Sequence, residues 1–229
     1  MISALIFDVD GTLAETEDLH LQAFNEAFSE TGLPWHWDAA LYAELLAVTG
    51  GKERMRAYAA SIGASLDDAQ VARLHARKTE IYTARLSVGA LPLRPGIAQL
   101  VAEARGCGLR LAIATTTSLA NVEALLAASF GMGWRDLFPV IAAGDMVPAK
   151  KPAPDIYTLA LKRLELAPGA AIAIEDSANG IRAAKAAGLK VIATPGRWLG
   201  DDDIFEANAV VPTGGIPDMH LIWTVARKR

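Results

Sequence analysis

"ALIFDVDGTLAE", residues 4–15, is the stretch on which the fold turns. Four apolar residues run straight into Asp8-Val9-Asp10-Gly11, so an element built for burial ends in two carboxylates. A short apolar run closed by a turn signal reads as a strand buried on both faces, and Asp-Gly supplies the turn. The turn needs one aspartate; the second points to chemistry. Residues i and i+2 of an extended chain face the same way, so Asp8 and Asp10 address one point in space.

Further short apolar runs follow at "LRLAIA" (109–114), "FPVIAA" (138–143), "AAIAIE" (170–175), "KVIAT" (190–194) and "NAVV" (208–211). Helical patterns at 97–105, 154–164 and 178–187 separate several of them, which predicts βαβ units and a parallel sheet with both faces covered. The expected class is therefore α/β, a Rossmann-like parallel sheet core. Between its first and second strands lies a helical block. Leu19, Ala23, Phe24, Ala27 and Phe28 recur at helical spacing in 15–30, with Gly32 and Pro34 as the stop. The pattern over 35–62 is helical but broken by the glycines of "VTGGKER", and Ser65 with Asp68 reads as a capping box opening a helix to about residue 87. The expected organisation is a core from residues 1–14 and 89–229 with an inserted α-helical cap at 15–88. Its hinges are expected near 13–16 and 87–92.

The 229 residues are 52% hydrophobic, enough for a substantial core, and carry 22 Lys and Arg against 26 Asp and Glu, a net charge of −4. With no block of like charge, nucleic acid is excluded as a partner. A lone Cys107 and the absence of any run of eighteen apolar residues lead to the expectation of a soluble cytoplasmic chain with no membrane span. No partner surface is legible, and a monomer is expected.

In open α/β sheets ligands sit outside the carboxyl ends of the strands. The ends here carry Asp8 and Asp10, then Thr115, Thr116 and Thr117, then the approach to Lys150 and Lys151, then Glu175 and Asp176. If these strands are neighbours, four carboxylates converge. Two unit charges at 4 Å repel by roughly 4 kcal/mol at an effective dielectric near 20, so a cation is called for. All-oxygen ligands favour Mg²⁺, which commonly bridges to phosphate oxygens. With a lysine and hydroxyls alongside, the site suits a phosphoryl group: one aspartate attacks phosphorus and the other moves a proton.

"DVDGT", the hydroxyl of "AIATTT", the lysine of "KKPAPD" and the acidic pair of "IEDSANG" together resemble the four motifs of the haloacid dehalogenase-like superfamily, in order. The resemblance is to its β-phosphoglucomutase-like branch, nearest the CbbY-type sugar-bisphosphate phosphatases linked to the Calvin cycle. It implies Asp8 as nucleophile, Asp10 as general acid/base, and Thr115 and Lys151 on the transferring phosphoryl. It also implies Mg²⁺ on Asp8, the Asp10 carbonyl, Asp176 and, directly or through water, Glu175. The implied reaction removes the 1-phosphate of xylulose 1,5-bisphosphate, an inhibitor of Rubisco.

Thr16, Glu17 and His20, Gly51, Lys52 and Arg54, and Lys78 are the expected substrate contacts from the cap, with Thr116 and Asn179 from the core. Lys52 and Arg54 are expected to grip the non-reacting phosphate. His36, His75 and His220 read as ordinary packed or surface residues, and Trp35, Trp37 and Trp134 as packing. Three other readings stand beside the phosphatase: a phosphomutase, a phosphoglycolate phosphatase, and a non-enzymatic receiver-like phospho-acceptor. Some seventy inserted residues after the nucleophile argue against the last. Dehalogenase chemistry needs neither a metal nor an acid at Asp10.

Overall fold

The first strand, β1 (Ala4–Phe7), lies at the middle of the sheet and is buried along its whole length. It was reached in a computed structural model that describes residues 1–89, 91–198 and 204–228. Four helices follow: α1 (Glu17–Glu30), α2 (Ala39–Leu45), α3 (Gly51–Ser61) and α4 (Asp68–Val88). The chain then runs through α5 (Ile97–Gly106), β2 (Arg110–Ala114), α6 (Leu119–Phe130), the single turn α7 (Trp134–Leu137) and β3 (Val140–Ala142). It ends with α8 (Asp155–Leu164), β4 (Ala171–Glu175), α9 (Ala178–Ala186), β5 (Lys190–Ala193), β6 (Ala209–Val210) and α10 (Met219–Arg227).

The sheet order is β3-β2-β1-β4-β5-β6, and every pairing is parallel. Register sets Phe7 beside both Ile113 and Ile174, so the residues just beyond β1, β2 and β4 emerge side by side. Alternation sorts the two faces by size. Leu5, Phe7, Leu111, Ile113, Ile172 and Ile174 meet α5, α6 and α10 on one side. Ala4, Ile6, Ala112, Ala114, Ala171, Ala173 and Val191 meet α8 and α9 on the other, a face made mostly of alanine.

The helices between β1 and β2 carry an apolar cluster of their own, with Phe24, Phe28, Trp35, Trp37 and Tyr42 at its heart. Trp37 is fully buried, 4.8 Å from both the Phe24 and Phe28 rings, and Asn25 hydrogen-bonds its backbone in both directions. α1 buries Ala23, Phe24, Ala27 and Phe28 as its spacing implies, and adds His20 to that face. The capping box at α4 belongs to Asp67 and Gln70 and not to Ser65 and Asp68. Asp67 is in extended backbone and accepts from the Gln70 N–H, whereas Asp68 is already the first helical residue. α6, α7 and α10 lie outside the helical patterns expected from spacing, although α10 is strongly amphipathic, with Ile222 and Val225 buried.

Replacing Trp37 by Ala removes a fully buried indole from a packed aromatic cluster. The variant should lose roughly 3–5 kcal/mol of unfolding free energy in a denaturant titration. A loss under about 1 kcal/mol would show that the cluster does not hold these helices together.

Candidate active site

Because β1 sits between β2 and β4, Asp8, Thr115 and the Glu175–Asp176 pair leave neighbouring strands at the same edge. Lys151 enters from the segment between β3 and α8 and is buried among them. Its ammonium donates to Asp8 Oδ1 at 2.6 Å, to Glu175 Oε1 at 2.5 Å and to the Ala114 carbonyl at 3.0 Å. A lysine has three N–H groups, and these contacts use all of them. Burial works against the charge on Lys151, but Asp8 and Glu175 outweigh it and raise its pKa. From α8, the Tyr157 hydroxyl donates to the same Glu175 oxygen at 2.5 Å.

Oxygens of Asp8, Glu175 and Asp176 all lie within 4.8 Å of one another. Burial raises the Asp8 pKa to about 8, with Lys151 opposing and Glu175 and Asp10 adding to the rise. Burial, Asp8 and Glu175 likewise hold Asp176 well above the usual carboxylate range. The Asp176 side chain accepts no hydrogen bond from any described residue, although it is nearly buried. Three carboxylates facing one ammonium, with one carboxylate unpartnered and only oxygen donors, fit a hard divalent cation. Gly11 makes room for this cluster. Its φ of +76° is left-handed, and any Cβ there would run into Asp176 Oδ2.

Asp10 departs from the expected convergence of four carboxylates. Its Oδ1 accepts from the Thr16 hydroxyl at 2.6 Å and lies 3.0 Å from His20 Nε2, so the start of α1 draws it away from the other three. Thr16 in turn makes no side-chain cap for α1. Burial works to raise the Asp10 pKa, but His20 and Thr16 prevail and hold it down at about 2. His20 Nδ1 lies 2.7 Å from Lys78 Nζ on α4. Burial and Lys78 lower the His20 pKa, and burial brings Lys78 down to about 7. A neutral ring that accepts from Lys78 at Nδ1 presents Nε2–H to Asp10. The ring stacks on Tyr82 at 4.1 Å, and Lys78 lies over Phe24 at 4.6 Å.

A cavity of about 300 Å³ joins the two regions, lined by Asp8, Thr115 and Lys151 from the sheet and by Arg54, His75 and Lys78 from α3 and α4. Glu17, His20, Gly51, Thr116 and Asn179 also face it. Arg54 Nη1 donates to the Tyr42 hydroxyl at 2.9 Å, which donates to Glu17 Oε2 at 2.6 Å, so these two charged residues are set by one phenol. Asn179 reaches from α9 to the Ala47 carbonyl and the Thr49 hydroxyl. Thr16 and Lys52 do not line the cavity. Thr16 is spent on Asp10. Lys52, expected on the substrate, instead pairs with Asp145 at 3.2 Å, because that carboxylate from the segment after β3 is the nearer anion.

Tyr157 and Arg182 carry no signal in the sequence, and His75, expected to be an ordinary packed or surface residue, lies on the cavity. His75 lines the cavity one turn before Lys78, and burial with Lys78 and Lys52 lowers its pKa to about 4. The spacing of Val71, Leu74, Lys78 and Tyr82 on the buried face of α4 was a usable signal for a histidine at 75. Arg182 lines the cavity from α9 and pairs with Glu206.

Gly11→Ala should fold, since a left-handed alanine costs only about 1–2 kcal/mol, while losing metal-supported turnover because the new Cβ displaces Asp176. Far-UV circular dichroism alongside a turnover assay tests this, and full activity in the variant would refute the close packing of Gly11 on the cluster.

Comparison with known proteins gives a consistent result. A family model described as haloacid dehalogenase-like hydrolase matches residues 2–188. The chain is 50% identical over 230 residues to protein CbbY of Cereibacter sphaeroides, covering 99% of this chain and 100% of that protein. It is 42% identical over 224 residues to a CBBY-like protein of Arabidopsis thaliana, covering 94% of this chain and 70% of that one. A crystal structure of a CbbY mutant from Rhodobacter sphaeroides in complex with xylulose-(1,5)bisphosphate superposes with a TM-score of 0.89 at 51% identity, over 93% of this chain and 95% of that one. The β-phosphoglucomutase of Clostridium difficile shares the fold, with a TM-score of 0.82 at 21% identity over 99% and 97% of the two chains.

Proposed function

The chain belongs to the haloacid dehalogenase-like hydrolase family, and we propose that it is a Mg²⁺-dependent phosphatase that removes the 1-phosphate of xylulose 1,5-bisphosphate. The observation that carries the substrate is 50% identity over essentially the whole chain to CbbY, together with a CbbY structure holding that bisphosphate. The cavity agrees in character: its lining carries the buried carboxylate and lysine suited to phosphoryl transfer, and Arg54 and Lys78 as further cations.

In this reading an Asp8 oxygen attacks phosphorus. The bond to the sugar oxygen breaks, and that oxygen takes a proton from Asp10. Water then attacks the aspartyl-phosphate, gives its proton to Asp10, and frees phosphate and Asp8. Lys151 and Thr115 hold the transferring oxygens, with Lys151 exchanging one carboxylate contact for a phosphoryl oxygen. Asp8, Asp176, the Asp10 carbonyl and, directly or through water, Glu175 would hold the metal. Mg²⁺ bound there would neutralise charge on the phosphoryl oxygens. His20 and Lys78 form a hydrogen-bonded line behind Asp10 by which its proton is delivered and removed.

Residues 15–88 act as the cap and close over the sugar, with hinges at 13–16 and 87–92; Ala90, within the second, lies outside the described residues. Glu17, Gly51, Arg54, Thr116 and Asn179 contact the sugar and its second phosphate, and Thr16 serves through Asp10. Lys52 joins them only by leaving Asp145. No helix among the described residues is long and apolar enough to cross a membrane. The exposed thiol of Cys107 suits a reducing cytoplasm, which completes the proposed setting, with a small-molecule sugar phosphate as partner.

Phosphate release from xylulose 1,5-bisphosphate, ribulose 1,5-bisphosphate, glucose phosphates and phosphoglycolate tests the reading. Xylulose 1,5-bisphosphate should be preferred, chelation should abolish release, and added Mg²⁺ should restore it. A preference for phosphoglycolate, or isomerised sugar without release, would overturn the assignment. Arg54→Ala should raise KM for the bisphosphate by about tenfold or more, as expected for a lost charged contact, and leave phosphoglycolate little changed. An unchanged KM would remove Arg54 from the second phosphate.

A further inference from the structure

Arg94 is a buried arginine outside the cavity, placed where the chain returns from the four-helix segment to the sheet. Its Nη1 donates to the Gly11 carbonyl at 2.5 Å and to the Thr194 carbonyl at 2.7 Å. Its Nη2 donates to the Pro195 carbonyl at 3.1 Å and the Gly215 carbonyl at 3.3 Å, and Nε lies 3.5 Å from Glu15 Oε1. One planar fork thus joins the turn after Asp10, the segment after β5 and the segment before α10. The backbone adds to this: the Arg94 N–H donates to the Leu13 carbonyl at 2.8 Å, and Ala14 pairs with Leu93.

The turn it grips begins from a fixed point, since the Asp8 N–H donates to the Ile174 carbonyl and Lys151 holds the Asp8 carboxylate, but its tip is folded mainly on itself. Gly11 N–H donates to the Ala14 carbonyl, and Thr12 and Leu13 both donate to the Val9 carbonyl. Without Arg94 the tip at Gly11 to Leu13 would keep fewer ties to the sheet, and a shift there would pass to Asp10, the residue before Gly11. The Gly11 carbonyl is the handle that Arg94 holds, on the residue whose α-carbon lies against Asp176.

We infer that Arg94 is a positioning residue for phosphoryl transfer: its guanidinium, through the Gly11 carbonyl, fixes the aspartate loop against Asp176 and anchors both crossings to the helical segment. The inference rests on the phosphatase reading. Lysine cannot replace it, because an ammonium donates from a single point and cannot reach carbonyls of three separate segments. The pinning also narrows any hinge: Leu13, Ala14, Leu93 and Arg94 stay with the sheet, so rotation must occur outside them, at residues 15–16 and before Leu93.

Arg94→Ala and Arg94→Lys, each assayed as the Mg²⁺-loaded full chain well below its melting temperature, test this. A loop displaced by about 1 Å should cost on the order of 100-fold in kcat with KM within about threefold, and Lys should rescue little. Methylguanidinium should restore part of kcat to the alanine variant, since it refills the fork. Arg94→Lys keeps the buried charge and provides the folded comparison if alanine destabilises the chain. Wild-type turnover with both variants within about twofold in kcat would overturn the inference, as would a kcat loss that only tracks the unfolded fraction and resists methylguanidinium. Absence of wild-type turnover on every phosphate tried would instead defeat the phosphatase reading beneath it.

Discussion

Three buried carboxylates at one end of a parallel sheet repel one another, and the ammonium of Lys151 is the contact on which the rest depends. It reaches two of them and a strand carbonyl with its three donors, and the third, Asp176, belongs to a cluster that could hold a metal ion. The fold serves this arrangement at several levels. Register brings the ends of β1, β2 and β4 level. α8 packs on the mostly alanine face of the sheet and brings Tyr157 to Glu175, and Gly11 clears the space that Asp176 occupies. A buried ion cluster of this kind is weak support for stability, since desolvation offsets much of the Coulomb gain. Its presence is better understood as preorganisation for charge that arrives with a phosphoryl group.

The second aspartate divides the labour. Asp8 stays with Lys151, while the Asp10 carboxylate is held by Thr16 and His20 from the helical insertion. Two residues apart in the chain, they answer to different parts of the molecule and are pushed to opposite protonation tendencies, one raised to about 8 and the other held near 2. The roles ask for the reverse: the nucleophile must be anionic, which a cation bound beside Asp8 would secure, and Asp10 must take up a proton before it can give one. The division also ties the site to the helical insertion, since Thr16 and His20 on α1 and its approach are the partners of Asp10.

Most of the architecture was legible because its signals are local. Each of β2 to β6 lies within an apolar run read from sequence, and the helical character of 15–88 followed from spacing that α1 and α4 keep. The α4 cap was misplaced by two residues because Ser-x-x-Asp and Asp-x-x-Gln overlap there, and only backbone conformation chooses between them. At the site, residue types could be read off but not their partners. Tyr157 meets Glu175, Arg94 meets Gly11 and Lys52 meets Asp145 across wide sequence separations, so no pattern in either segment announces the pair. Asp10 shows the same limit: its alternation with Asp8 was visible, but the pull of His20 and Thr16 was not.

The central claim is that Asp8 becomes covalently phosphorylated while Asp10 handles protons. The direct measurement is rapid acid quench of the wild-type chain within its first turnover after mixing with Mg²⁺ and xylulose 1,5-bisphosphate, followed by borohydride reduction and peptide mass mapping. An acyl phosphate on Asp8 would be reduced there to homoserine, and that single modified position is the predicted result. Wild-type turnover of the bisphosphate with no modification at position 8, or with modification at another carboxylate, would contradict the account.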